Sequence, residues 1–299
     1  MKPTFIGIGP PRCGTTSVYH YLKQHPQVFM SPVKETHFFA YQILEKDILA
    51  GRAILHDPVT SVQQYEALFR GAGTARAIGE ISPGYLWRAG VAEAIHGALP
   101  DARLFCILRN PIDRAYSAYR AHVADGQESR SFEQVVREET DSPSKYPLGG
   151  TNYHIRIGMY AFHLEPYRKL FREAQLKICF YEDLESSAEH FMRELFAFIG
   201  VDPELVVDTS SRFNTMGGRQ LERRLQSSGL GWVSRRLRKL IPRRLYYFLY
   251  RGYSAAVTGI PGAATIRRET REQMRDAYAA DIAALQSLTG RDLSNWLKV

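Results

Sequence analysis

The opening stretch of the chain constrains its fold more than any other. Thr4–Ile8 (TFIGI) is a short apolar run that passes directly into Gly9-Pro10-Pro11-Arg12-Cys13-Gly14. Thr15, Val18, Tyr19 and Leu22 then recur at i, i+3, i+4 and i+7, the spacing of one helical face. Pro26 cannot continue that helix, because it lacks an N–H and its ring clashes with the preceding turn. The expected order is therefore buried strand, glycine-rich loop, helix.

The same grammar returns downstream. Ala77–Ile81, Arg103–Leu108 and Leu176–Tyr181 read as strands. After the second comes Asn110-Pro111-Ile112-Asp113, with Asn at N-cap, Pro at N1 and an acid at N3. Ile112, Ala115, Tyr116 and Tyr119 form the apolar stripe of that helix, and Phe191, Leu195, Phe198 and Ile199 the stripe of a later one. A closing helix is expected around 266–288 with Met274, Tyr278, Ile282 and Leu285 on one face, while 141–153 and 252–264 read as loops. Alternating strands and helices predict an α/β fold. The expectation is a single P-loop-like domain over 1–299, with a central, mainly parallel sheet flanked by helices and a basic helical segment within 212–251.

Charge has a location. The chain of 299 residues carries a net +8, but 212–251 alone holds eleven Lys/Arg against Glu222, a net of +10, leaving the rest at −2. Paired arginines there (Arg223-Arg224, Arg235-Arg236, Arg243-Arg244) alternate with Trp232, Leu237, Leu240 and the aromatic run Leu245–Tyr250. Such an element suits peripheral contact with an anionic membrane; a solvated helical face packed on the domain is the alternative. No helix-turn-helix, RNA-recognition or zinc pattern accompanies the arginines, so nucleic acid is not expected as a partner. Cys13, Cys106 and Cys179 are too few and too scattered for a disulfide framework or a zinc site. With neither a signal-peptide pattern nor an apolar run of about 18 residues, the chain is expected to be cytoplasmic, with peripheral contact at the inner membrane face.

Two motifs carry chemistry. Gly9–Ser17 lies between a strand and a helix, where backbone amides and a glycine that admits close approach make an anion site; an ordinary strand–helix turn is the alternative. The spacing resembles the nucleoside-triphosphate P-loop GxxxxGK[ST], but Thr15 stands where that motif has lysine, and the cation comes earlier, as Arg12. In the second motif, Arg109 leaves a strand and Ser117 sits about two turns into the next helix. A guanidinium and a hydroxyl at a strand's carboxyl end suit a phosphate; Arg109 paired with Asp113 is the alternative.

Together, Arg12-x-Gly14-Thr15-Thr16 and the Arg109/Ser117 pair resemble the sulfotransferases that use 3′-phosphoadenosine 5′-phosphosulfate (PAPS). Val33-Lys34-Glu35-Thr36-His37-Phe38-Phe39 is similar to the KExHFF stretch of heparan sulfate glucosaminyl sulfotransferases and their bacterial relatives. Gly79-Glu80-Ile81-Ser82-Pro83-Gly84-Tyr85, Tyr181-Glu182-Asp183-Leu184 and Gly290–Leu297 extend the resemblance over nearly the whole chain. Two positions depart from it: Arg12 replaces the usual lysine, and Ile81 stands where the heparan enzymes carry a second lysine.

The resemblance implies transfer of a sulfuryl group from PAPS, with no metal, to a hydroxyl of a small-molecule or glycan acceptor, a carbohydrate or glycolipid being favoured. It places Arg12, Cys13, Gly14, Thr15, Thr16 and Ser17 around the 5′-phosphosulfate, with Arg12 as leaving-group cation. Arg109 and Ser117 would hold the 3′-phosphate, joined by Gly218 and Arg219. Glu35 would be the base and His37 its rival, with Phe38 and Phe39 stripping water from the carboxylate. An extended segment would turn residues 35 and 37 to the same side. His56, His122 and His154 have no motif behind them and are expected to be structural or exposed. The competing readings are a P-loop phosphotransferase, such as a nucleoside or small-molecule kinase, and a non-catalytic nucleotide or membrane binder.

Overall fold

The computed structural model describes residues 1–51, 53, 55–141, 154–210 and 266–299. The basic segment 212–251, with Gly218 and Arg219, lies outside the described residues, as do the expected loops beyond Asp141. The strands are β1 (Phe5–Gly7), β2 (Val28–Met30), β3 (Ala77–Ile81), β4 (Arg103–Leu108) and β5 (Leu176–Phe180). They form one sheet in the order β2-β3-β1-β4-β5, and every pairing is parallel. Gly7 stands opposite Ile81 of β3 on one side and Phe105 of β4 on the other. The three strands that precede the sequence motifs are thus neighbours.

The helices are α1 (Thr15–Leu22), α2 (Phe38–Leu49), α3 (Val62–Ala67), α4 (Val91–Ala98), α5 (Pro111–Ala124), α6 (Phe132–Asp141), α7 (Tyr160–Leu170), α8 (Tyr181–Ser186), α9 (Ala188–Ile199) and α10 (Arg268–Thr289). Because strand side chains alternate between faces, Phe5, Phe105 and Ile107 pack with α1 and α9, while Ile6, Ile8, Leu104 and Cys106 pack with α4, α5, α7 and α10. The stripe expected for the closing helix is the buried one: Met274, Tyr278, Ile282 and Leu285 all lie in the larger core. The strand read as Leu176–Tyr181 stops at Phe180, and Tyr181 opens α8 instead. No described helix is long and apolar enough to cross a membrane.

The cleft follows from this topology. β1 and β4 are adjacent, yet the helices that follow them pack on opposite faces of the sheet, α1 with one core and α5 with the other. Connections that diverge from neighbouring strands leave a crevice at the carboxyl edge. The β1 loop can cross β4 closely only because residue 9 has no side chain: a Cβ there would lie 2.6 Å from the Ile107 backbone nitrogen.

This predicts a contrast between two glycines. Gly9→Ala forces backbone apart at the sheet edge and should cost about 1–3 kcal/mol. Gly97→Ala, exposed in α4 with nothing within 4 Å of the added Cβ, should gain about 0.5–1 kcal/mol. Urea unfolding of both variants measures the difference, and equal midpoints would contradict it.

Candidate functional site

A cleft of about 720 Å³ opens at the carboxyl ends of β1 and β4. Its walls bring together Arg12, Gly14, Thr15, Thr16 and Ser17 from the first motif, Arg109 and Ser117 from the second, and Glu35 from the KETHFF segment. The two anion motifs are joined directly. Arg12 Nε donates to Ser117 Oγ at 3.1 Å, and Arg109 Nη1 donates to the Arg12 carbonyl at 3.3 Å. Arg109 also lies over the Tyr181 ring, 4.7 Å from its centroid. It is not paired with Asp113, which instead accepts from Arg271 of α10 at 3.0 Å.

Local backbone geometry explains the first motif. Gly14 caps α1 with φ of 79°, and a Cβ there would meet Leu184 at 2.7 Å and Tyr181 at 3.2 Å, so both conformation and space demand glycine. Arg12 also has a left-handed backbone, with φ of 72°. A non-glycine residue there costs about 1–2 kcal/mol, and in exchange the Arg12 side chain reaches Ser117. Cys13 turns the other way: its side chain is fully buried and burial pushes its thiol up to about 12. Its side chain is therefore withdrawn from the cleft.

The second motif starts α5 as expected, with Asn110 Oδ1 accepting from the Ile112 amide at 3.0 Å. Its support comes from two distant segments. Glu182 Oε1 accepts from both the Asn110 amide and Trp296 Nε1, each at 3.1 Å. Arg291 grips Asp183 with both terminal nitrogens. The Tyr181–Leu184 and Gly290–Leu297 motifs are thus two halves of one brace beneath Arg109 and Gly14.

The KETHFF segment is not extended. Glu35 and His37 both adopt left-handed φ, 64° and 53°, and His37 caps α2. The two side chains still approach, with His37 Nε2 3.9 Å from Glu35 Oε2, too far for a hydrogen bond. Lys34 Nζ donates to Glu35 Oε1 at 2.5 Å. Phe38 and Phe39 do not shield Glu35. They drive into the core, where Phe38 stacks on Tyr65 at 4.2 Å, leaving the Glu35 side chain 43% exposed. Their apolar surface is better buried against Tyr65 and Tyr85 than spread over a carboxylate.

The family model of the sulfotransferase family matches residues 3–204. The chain belongs to that family. Carbohydrate sulfotransferase 15 of Homo sapiens is 25% identical over 247 residues, covering 67% of this chain and 44% of that protein. The bifunctional heparan sulfate N-deacetylase/N-sulfotransferase 2 of Homo sapiens is 30% identical over 223 residues, covering 71% of this chain and 23% of that protein. The chain therefore spans less than half the length of these relatives. A crystal structure of a sulfotransferase from Alicyclobacillus acidocaldarius superimposes with a TM-score of 0.72 at 28% identity, over 100% of both chains.

In this sulfotransferase-family chain the structure adds residues that have no motif of their own. His56 and His122, expected to be structural or exposed, both line the cleft. Neither stands at a spacing that would signal it, because each arrives through tertiary placement. Tyr181 forms the platform under Arg109, visible beforehand only as part of the YEDL motif. Ile81, expected to mark a departure from the heparan enzymes, is fully buried in the α1-side core and is not among the residues that line the cleft.

Burial lowers His37 to about 4; Glu35 opposes the shift, while Arg88, Lys34 and His56 reinforce it. The imidazole is neutral at pH 7. Because the unfolded histidine takes up a proton near pH 6.5 and the folded one only near 4, the unfolded state binds more protons in that window. Stability from this group is full above pH 6.5 and is lost as pH falls toward 4. At pH 5 the loss relative to pH 7.5 should be about 2 kcal/mol at most. His37→Gln should flatten the pH dependence of the urea midpoint by that order, and an unchanged slope would contradict it.

Proposed function

We propose that this chain transfers a sulfuryl group from PAPS to an acceptor hydroxyl, on a carbohydrate or glycolipid. The observation that carries the reading is convergence: two anion-binding motifs, linked across 105 residues by Arg12 and Ser117, share one cleft with a carboxylate. PAPS has two separated anionic ends, which matches two cradles rather than one. Gly14 and the first turn of α1, Thr15 to Ser17, line the cleft, and the backbone amides of a helix N-terminus suit an anion.

Arg12 and the first turn of α1 would hold the phosphosulfate, and Arg109 with Ser117 the 3′-phosphate. Bound PAPS supplies the sulfuryl group. The chain's own work is to align the acceptor, take its proton and stabilise charge on the leaving side. Arg12 is suited to the last task, because its side chain and backbone are both tied to the second motif. Glu35 is the favoured base. Its partial exposure leaves it within reach of an entering hydroxyl, while neutral His37 stands behind it. The carbohydrate assignment rests on the named relatives, carbohydrate and heparan sulfate sulfotransferases.

The deciding experiment is transfer of radiolabelled sulfate from PAPS into glycan and glycolipid fractions, beside thermal-shift titration with adenosine 3′,5′-bisphosphate and ATP. Stabilisation by the bisphosphate and EDTA-resistant transfer are expected; stabilisation by ATP with a strict magnesium requirement would turn the reading toward a kinase. Glu35→Gln should lower turnover by about 10²–10⁴-fold, the usual contribution of a general base, with bisphosphate affinity within twofold of wild type. Arg109→Met should instead weaken bisphosphate binding at least tenfold, about 1.4 kcal/mol, as read by calorimetry.

A further inference from the structure

Behind Glu35 and His37 lies a second carboxylate. Glu80, near the end of β3, is fully buried and receives four hydroxyl groups. Thr36 Oγ1 donates to Oε2 at 2.7 Å and Ser82 Oγ to the same oxygen at 2.7 Å; Tyr65 and Tyr85 donate to Oε1 at 2.8 and 3.1 Å. Thr36 Oγ1 and the Tyr85 hydroxyl also lie 3.0 Å from each other, so the four hydroxyls and the carboxylate form one connected cluster. Burial raises its pKa, and the four bonds work against that rise.

This cluster holds three consecutive residues of the candidate site. The Glu35 amide donates to the Ile81 carbonyl at 3.1 Å, the Thr36 hydroxyl is bound to Glu80, and the His37 amide donates to Ser82 Oγ at 3.4 Å. The Thr36 carbonyl in turn accepts from the Val59 amide at 2.8 Å. Thr36 is fully buried, and the residues on either side of it carry the left-handed backbone. Two strained residues flanking one anchored residue persist only where the surroundings over-determine them.

We infer that Glu80 is the positioning residue of this site, acting through the Thr36 hydroxyl to hold Glu35 and His37 in their left-handed conformations against the cleft. The inference rests on the sulfotransferase reading for what Glu35 does, but the anchoring itself stands without it. Glu80 touches neither donor nor acceptor, and its effect falls on turnover rather than on nucleotide binding.

Thr36→Val keeps the shape of the side chain and removes only the hydroxyl; Thr36→Ser keeps the hydroxyl and removes only the methyl. Glu80→Gln tests the acceptor and, because it also disturbs the two tyrosines, is read only if its circular dichroism matches wild type. Three measurements apply to each variant: sulfate transfer from PAPS, calorimetric binding of adenosine 3′,5′-bisphosphate, and the titration of His37 by NMR of histidine-labelled protein. The groups facing that imidazole are Glu35 and Lys34 on its own segment, Arg88 beyond β3 and His56 from the following loop.

Thr36→Val should lose at least tenfold in kcat with bisphosphate Kd within twofold, and its His37 midpoint should move from near 4 toward 6.5 as the ring becomes hydrated. Thr36→Ser should keep more than half of wild-type kcat and the low midpoint. Equal behaviour of the two threonine variants, or a Thr36→Val protein with the wild-type His37 midpoint, overturns the inference. If wild type neither transfers sulfate nor binds the bisphosphate, the functional reading fails, and the NMR comparison still decides whether Glu80 anchors the segment.

Discussion

The site depends first on how closely the loop after β1 can pass the backbone of β4. At Gly9 there is no room for even one methyl group, and the loop crosses within contact of the Ile107 amide. That approach keeps Arg12 beside the strand from which Arg109 and Ser117 emerge. The diverging helices α1 and α5 then open the crevice. A parallel sheet with covered faces leaves its carboxyl edge as the place where backbone polarity and side-chain charge can meet a ligand.

Two kinds of force share the work at that edge. Guanidinium groups link the first and second motifs through hydrogen bonds to a hydroxyl and a carbonyl, so charged side chains serve as mortar between loops. The KETHFF segment is held differently, by neutral hydroxyls converging on a buried carboxylate. Arg12, Glu35 and His37 are all bent into conformations that side chains resist. Strain concentrated at three such residues is offset by bonds made one residue away or across the cleft, and not by the strained residues' own packing.

Much of this was legible in the residues. The strand–glycine–helix opening, the Asn110-Pro111 start of α5 and the stripe of α10 follow from local rules, and local rules decided them. β2 escaped because three residues are too short for any period to register. Residues 35–37 are not extended, and the contacts that accompany their reversal come mostly from far away in sequence: Ile81, Ser82, Val59 and Glu80, the last forty-four residues from Thr36. Phe38 and Phe39 were assigned the right chemistry and the wrong target: Tyr65, which takes them into the core, carries no signal near them in sequence. His56 and His122 reached the cleft in the same way, by placement alone.

The brace under the second motif has a consequence for the order in which the protein becomes competent. Asn110 is fixed from below by Glu182 and by the Trp296 carbonyl, the latter contact spanning 186 residues. Chains emerge from the ribosome N-terminal end first. The first motif and Arg109 are therefore made before the tryptophan that locks the turn beside Arg109, which follows Asn110 by 186 residues. A nascent chain can lay down its sheet from β2 to β5 before that brace is complete. Bracing of the turn beside Arg109 therefore waits on synthesis of the segment that carries Trp296.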